Sequence, residues 1–422
     1  MKLPPFFKQT NNNRLNLIIS SALILAFVIK LINVTLLNTT VFTLDSYSYS
    51  EFLINFQGGF VRRGLLGEML FRLYNRHNFY VQLALFCSCY FIYLCTIVFY
   101  IYKFKNRNLC WWLLFSPLLL CFPMYIVRKD YLLYAILIII IYLLRNKTHL
   151  INKAIALTLV VLSLFLHEAF IFWGFPIFML ILLSDKKNRA LNYIFSIIPL
   201  CVFFILCVYK GNLSTSHLIV DSWNSVIPSS PLSYTFDNSI GAIGWDSKTT
   251  FLSHLKLNVG DGGIGIVITP LIALTIYYFF SNFFSFLSSG ESYKNLQKIN
   301  LSISLLYSSS LIFLLPMFTV LSCDVGRVFH YAAIATFTPF LILPYDTIIS
   351  LYPKSYIKKI SQINQSIINF IPPSRGLMIV LLLILGVSSS GFSLGQNWFQ
   401  SILGTLWFGF VESMKFLSHI IL

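Results

Sequence analysis

The sequence predicts an all-α polytopic membrane protein of about twelve transmembrane helices, with an interfacial helix in its first outer loop. Three observations predict it. Of the 422 residues, 57% are hydrophobic and only 10% charged, whereas soluble domains carry about 25% charged residues. Apolar runs of membrane-crossing length recur from one end to the other. Basic residues collect in every second segment between those runs. The 41 Phe and 23 Tyr suit side chains that meet lipid and the headgroup belt.

Taken in order, the expected spans are roughly 15–37, 78–102, 109–127, 131–144, 154–167, 169–183, 190–209, 264–283, 301–322, 329–348, 376–391 and 400–418. The first is too long for a removed signal peptide and lacks a small-residue cleavage site, so it is expected to stay as an anchor. With the N-terminus inside, the inner segments hold Lys2, Lys8 and Arg14; Lys103, Lys105 and Arg107; Arg145, Lys147 and Lys153; Lys186, Lys187 and Arg189; Lys294 and Lys298; and Lys354, Lys358, Lys359 and Arg375. Only Asp185, Glu291 and Asp346 stand among them. Cytoplasmic loops gather Lys and Arg, so both termini are expected inside and the span number even. The net charge of +16 is therefore read as topological. Nucleic acid is excluded as a partner, because the basic residues form short loop clusters and no single stripe.

One membrane domain is expected over 1–422, with two long outer loops, 38–77 and 210–263. The second holds WNSVIPSSPLSYTFDNSIGAIGWD. Its aromatics beside Asn and Asp suit sugar rings, though an ordinary outer loop has the same composition. Cys87, Cys89, Cys95, Cys110, Cys121, Cys201 and Cys207 lie in apolar runs, where Cys behaves as a small hydrophobe. Cys323 alone sits near an outer surface, and no zinc-type spacing occurs. Neither a disulfide nor a metal site is expected.

The outer side carries the anomaly. Most acidic residues (Asp45, Glu51, Glu68, Asp130, Glu168, Asp221, Asp237, Asp246, Asp261, Asp324) fall there, beside Arg62, Arg63, Arg72, Arg76, Arg128, Lys129 and Arg327. Topology alone does not demand mixed charge on one face. In INFQGGFVRRGLLGE, Gly58 and Gly59 allow close backbone approach, and Arg62 and Arg63 stand at the start of an amphipathic helix over 62–76. Leu65, Leu66, Met69, Leu70 and Leu73 share one face of it, and Glu68, Arg72 and Arg76 another. Such a helix lies in the interface, and its N-terminal amides favour an anion. Two guanidiniums there suit a phosphate or diphosphate; anchoring to lipid headgroups is the alternative.

In VRKDY, Arg128 and Lys129 occupy a tight outer turn that has no topological need of charge. They read as a second phosphate contact, or as half of an Arg128–Asp130 cap. In LFLHEAFIFWGFP, His167 and Glu168 end a span in an apolar setting, where ionisable groups are functional candidates. Burial raises a carboxyl's pKa unless a cation compensates, so Glu168 suits a general base or an arginine's partner. No second His follows four residues after His167, which removes zincin-type chemistry. In CDVGRVFHYAAI, Asp324, Arg327 and His330 fall on one helical stripe, either a site or a self-neutralising pair. In LDSYSYSEF, Asp45 follows the first span, with Tyr47 where a metal-binding DxD would put its second acid.

The run GGFVRRGLLGE, the outer-edge HE and the late D-x-x-R together resemble the O-antigen polymerases (Wzy-type) of bacterial surface-polysaccharide clusters. The topology of most of the chain shares in the resemblance; its motifs are local. It implies a glycosyltransferase C-like membrane fold in the bacterial inner (cytoplasmic) membrane. It also implies metal-independent polymerisation of undecaprenyl-diphosphate-linked repeat units at the periplasmic face, without a cofactor. Arg62, Arg63, Arg128 and Arg327 match in kind the outer-loop arginines of that family, with Lys129 beside them. Asp45 holds the place of the first-loop acid of many glycosyltransferase C enzymes. The implied partners are undecaprenyl-diphosphate-linked glycans, membrane lipid and a chain-length regulator. Fixed arginines would stabilise the departing diphosphate, and Glu168, His167 or Asp45 would deprotonate the attacking hydroxyl. Two rival readings are a membrane glycosyltransferase adding one sugar from a polyprenyl-phosphate donor, and a lipid-linked oligosaccharide flippase.

Overall fold

In the computed structural model, no strand occurs among the described residues, which are 47–73, 78–106, 128–145, 149–226, 238–245, 264–287, 293–321 and 325–374 with isolated positions at 232, 234, 248, 377 and 381. The helices are α1 (Tyr47–Phe52), α2 (Gly64–Leu73), α3 (Asn78–Asn106), α4 (Asp130–Arg145), α5 (Leu150–Leu166), α6 (Phe170–Trp173), α7 (Phe175–Ser184), α8 (Arg189–Val208) and α9 (Leu213–Val226), then α10 (Ile264–Leu287), α11 (Tyr293–Pro316), α12 (Val325–Ile342), α13 (Tyr345–Ser350) and α14 (Lys354–Phe370). The expected spans at 15–37, 109–127, 376–391 and 400–418 lie outside the described residues. Among those described, Arg189–Val208 and Leu296–Thr319 are long and apolar enough to cross a bilayer, with shorter apolar helices at Cys87–Lys103, Leu150–Leu166 and Phe170–Ser184.

Helix α8 has the pattern of a lipid-facing helix. Its buried positions are Asn192, Ser196, Pro199 and Leu206, while Tyr193, Ile194, Ile197, Phe204 and Val208 are exposed. Polar atoms inward and branched apolar side chains outward reverse the arrangement expected in water. They fit a solvent as apolar as the side chains themselves.

The chain divides into two compact units. One comprises Asn38–Thr96 and Tyr125–Ser253, and the other Met1–Leu37, Ile97–Met124 and His254–Leu422. In the first, α4, α5, α7 and α8 pack together, and α2 lies against α5. One end of this bundle is stapled by Lys153 Nζ, which donates to Asp185 Oδ2 at 2.7 Å and to Asn192 Oδ1 at 3.0 Å. All three residues are buried. The residues expected to supply topological charge in inner loops thus include a buried ion pair that ties α5 to the segment leading into α8.

At the opposite end, the described parts of the two long loops expected at 38–77 and 210–263 fold together. Trp223 Nε1 on α9 donates to Leu53 O at 2.7 Å, Asn55 Nδ2 donates to Ser222 Oγ at 2.9 Å, and Ser239 Oγ donates to Tyr47 O at 2.6 Å. Gly58 permits this closeness, since a Cβ there would lie 2.8 Å from Thr215 O. Gly59 takes a φ of +100°, a conformation that glycine adopts without strain. The described part of the 210–263 loop therefore includes a helix docked on the arginine-bearing loop.

Three expectations are corrected. The helix expected over 62–76 begins only at Gly64, after the arginines, and its described part runs to Leu73. Its polar residue points inward: Glu68 is buried, accepting from Phe56 N (3.1 Å), Gln57 Nε2 (3.0 Å) and Arg72 Nε (2.8 Å), while Met69 and Leu73 are exposed. The reason is Gly67, whose missing side chain lets Ile54 O sit where a Cβ would be. The run 329–348 is also broken, because Pro344 lacks an amide hydrogen and separates α12 from α13.

In the second unit, α11 packs against α10, α12, α13 and α14. Its serines tie it to α10 and to the α14 segment: Ser304 Oγ accepts from Asn364 Nδ2 at 2.9 Å and donates to Ser281 Oγ at 2.8 Å, Ser308 Oγ bonds Tyr356 Oη at 2.8 Å, and Ser309 Oγ bonds Tyr352 Oη at 2.8 Å. Small polar side chains are a usual device for joining helices in lipid. Helix α14, which carries Lys354, Lys358 and Lys359 on an exposed side, lies within a segment expected to be only a basic loop.

Candidate functional site

Where α5 ends, the chain cannot continue as a helix, because His167 is extended (φ −160°) and the short α6 starts afresh at Phe170. The turn presents His167 and Glu168 at the end of the bundle. His167 Nδ1 accepts the Ala169 amide at 3.1 Å, so the neutral ring carries its proton on Nε2. That nitrogen is 3.4 Å from Glu51 Oε1. Glu51, on α1, is completely buried.

Glu168 is gripped by the arginine loop. Arg63 Nε donates to its Oε2 at 2.8 Å and Arg63 Nη2 to its Oε1 at 2.6 Å, a two-point fork. Arg62 adds one bond, from Nη1 to Oε1 at 3.1 Å. Arg63 Nη1 also stands 3.7 Å from Glu51 Oε1. Burial alone would push the Glu168 carboxyl up, but Arg63 and Arg62 outweigh it and hold it well below the usual carboxylate range. For Arg63 the same contacts overcome burial and raise its pKa, whereas burial and the neighbouring Arg63 lower that of Arg62.

The backbone is arranged to make this fork. Arg63 has a φ of +64°, a conformation that costs a non-glycine residue about 1–2 kcal/mol. It is held there by Lys129, whose Nζ donates to Arg63 O at 3.0 Å. Lys129 is wholly buried, with its cation 5.8 Å from the centre of the Phe52 ring. Burial lowers its pKa from 10.5 to about 8, although Glu51 opposes the shift. The Arg62 amide donates to Tyr209 O at 3.0 Å, which fixes the other side of the loop.

The first unit therefore brings together Arg62, Arg63, Lys129, His167 and Glu168 from three separate segments. Gly58 and Gly59 shape the loop that carries the arginines. Arg128 is buried beside Lys129, and its carbonyl accepts from Cys89 Sγ at 3.8 Å. Arg327 and His330 belong to the second unit, where the Arg327 guanidinium lies 5.6 Å from the Tyr331 ring centre and His330 is buried. Asp45 and Asp324 lie outside the described residues. The residue missed by sequence reasoning is Glu51. Its signal was present, since it closes the same LDSYSYSEF stretch in which attention fell on Asp45.

Three cations around the buried Glu51, the partly exposed Glu168 and a histidine, at one end of helices that turn apolar side chains outward, define a membrane protein with an ionic site at the edge of its helical bundle. Residues 18–217, which contain Arg62, Arg63, Lys129, His167 and Glu168, match the family described as uncharacterised membrane protein Rv1490. No curated protein and no solved structure matches the chain.

Proposed function

We propose that this chain is a membrane glycosyltransferase that polymerises lipid-diphosphate-linked oligosaccharide units, in the manner of O-antigen polymerases. The observation that carries the reading is the cluster of Arg62, Arg63 and Lys129 at the end of α5, in one compact unit with His167 and Glu168. A lipid-borne phosphate arriving along the bilayer meets the partly exposed Arg62 there, in the field of Arg63 and the buried Lys129. Preorganised cations stabilise a departing phosphate without reorganising during the reaction. In this reading the protein sits in the bacterial inner membrane with about twelve spans, a glycosyltransferase C-like fold, and its site on the periplasmic side.

An acceptor hydroxyl attacks the anomeric carbon, the bond to the lipid diphosphate breaks, and a carboxylate takes the hydroxyl proton. Glu168 suits that last role poorly while two arginines hold it ionised, because a base held far below its ordinary pKa is weak. Glu51 and Asp45, both from the first outer loop, are the better acceptors. Glu168 then serves to set the arginines.

The test is the ladder of long-chain polysaccharide from cells lacking the gene, complemented with wild type or Arg62→Ala at equal protein level. Wild type restores the ladder and the variant collapses it to one repeat unit. A second reading, transfer of one sugar from a polyprenyl monophosphate, draws on the commitment of the Nε–Nη2 edge of Arg63 to Glu168, which leaves fewer charges for a diphosphate. It predicts a ladder of normal length lacking one side sugar. Loss of even the single-unit band sinks both readings and favours a flippase.

A further inference from the structure

Arg62 and Arg63 are adjacent, yet they are held in different ways. Arg63 makes two short bonds to Glu168, 2.8 and 2.6 Å, and its side chain is 17% exposed. Its strained backbone is latched through its carbonyl by Lys129. A residue fixed at main chain and side chain alike has little freedom to meet a ligand. Arg62 makes one longer bond, 3.1 Å, and its side chain is 30% exposed. Its Nε is buried with no hydrogen-bond partner among the described residues. A buried guanidinium nitrogen of that kind calls for an occupant. Its backbone is anchored separately, by the bond to Tyr209 O, so the side chain can change partner without disturbing the loop.

We propose that Arg62 is an exchangeable hand, leaving Glu168 for a phosphoryl oxygen of a polyprenyl phosphate or diphosphate, while Arg63 stays with Glu168 as a positioning residue. The inference rests on the lipid-phosphate reading above and deepens it. Glu168 Oε1 is then the resting acceptor of Arg62 Nη1, and a phosphoryl oxygen replaces it once the guanidinium swings away, while Oε1 keeps its bond from Arg63 Nη2. Carboxylate and phosphate compete for Arg62, and that competition has a signature which a purely structural salt bridge lacks. Neutralising Glu168 strengthens phosphate binding.

The experiment uses the purified full-length protein in detergent, with farnesyl phosphate and farnesyl diphosphate as probes and the thermal midpoint read in parallel. Arg62→Ala is expected to weaken binding by on the order of ten- to a hundredfold, the size of a charged hydrogen bond. It should shift the midpoint by less than about 2 °C, as for a partly exposed pair. Arg63→Ala lowers the midpoint by several times that shift. Glu168→Gln, which keeps an acceptor for Arg63, binds the probe more tightly than wild type. The inference is overturned if Arg62→Ala binds like wild type, if it melts as early as Arg63→Ala, or if Glu168→Gln weakens binding. Binding of neither probe by wild type overturns it together with the lipid-phosphate reading. Binding that follows expectation beside an unchanged ladder in Arg62→Ala cells leaves the exchange standing and removes only the polymerase. The tighter probe identifies the carrier as monophosphate or diphosphate.

Discussion

Lys129 is wholly buried beneath the arginine loop, where its ammonium donates to Arg63 O at 3.0 Å. Its native pKa of about 8 lies below its ordinary 10.5, so between those values the unfolded chain binds more protons than the folded one. Stability therefore rises with pH through that window, as the cost of a buried ammonium is relieved. Lys129→Met should remove this upward limb from a plot of thermal midpoint against pH between about 8 and 10.5. An identical limb in the variant would show that another group is responsible. Glu168 has the opposite character: its contribution is complete above the ordinary 4.5 and is lost only as acid reaches its lower native value. The sequence offered an arginine as its partner but not which one, because Arg63 lies 105 positions away, and it placed Lys129 in an outer turn with no sign of its burial.

At the scale of elements, the apolar runs translated directly into helices. Residues 78–102, 131–144, 154–167, 190–209 and 264–283 each became one helix with ends displaced by a few positions. What failed was the reading of amphipathic segments. On α2 the leucines were expected to lie in the interface, with Glu68 and Arg72 together on another face; the pattern did not show that the small face of Gly64 and Gly67 packs inward and takes Glu68 with it. In lipid the apolar side has no reason to hide, so hydrophobic pattern alone does not tell inside from outside. The same logic disguised Lys153 and Asp185, which lie 32 positions apart. Lys153→Met leaves Asp185 buried without its cation and should cost about 3–5 kcal/mol. Replacing both, as Lys153→Met with Asp185→Leu, should recover most of that loss, because two apolar groups need no partners. Additive losses in the double-mutant cycle would mean that the pair is not coupled as its 2.7 Å bond implies.

For the molecule as a whole, the charge pattern and the bundle agree on a polarity. Helix α5 carries Lys153 of the staple in its first turn and is capped by His167, and the rise between them is about 21 Å. That falls short of the hydrocarbon thickness of a bilayer, about 30 Å, by a length that long charged side chains span by reaching toward the headgroups. Two ionic clusters so spaced fit one near each edge of a membrane. If Lys and Arg follow the inside bias, the end near Lys186, Lys187 and Arg189 is expected inside and the arginine site outside, as the proposed polymerisation requires. A membrane-impermeant thiol reagent decides it. In a background without native cysteines, Gln57→Cys, on the exposed loop before Arg62, should label in intact cells. Lys187→Cys, exposed at the other end, should label only after the membrane is opened. Labelling of position 187 in intact cells, with 57 protected, would reverse the orientation. It would leave the ionic cluster intact as a feature of the fold but move its substrate to the cytoplasmic leaflet, where lipid carriers are loaded and extended sugar by sugar.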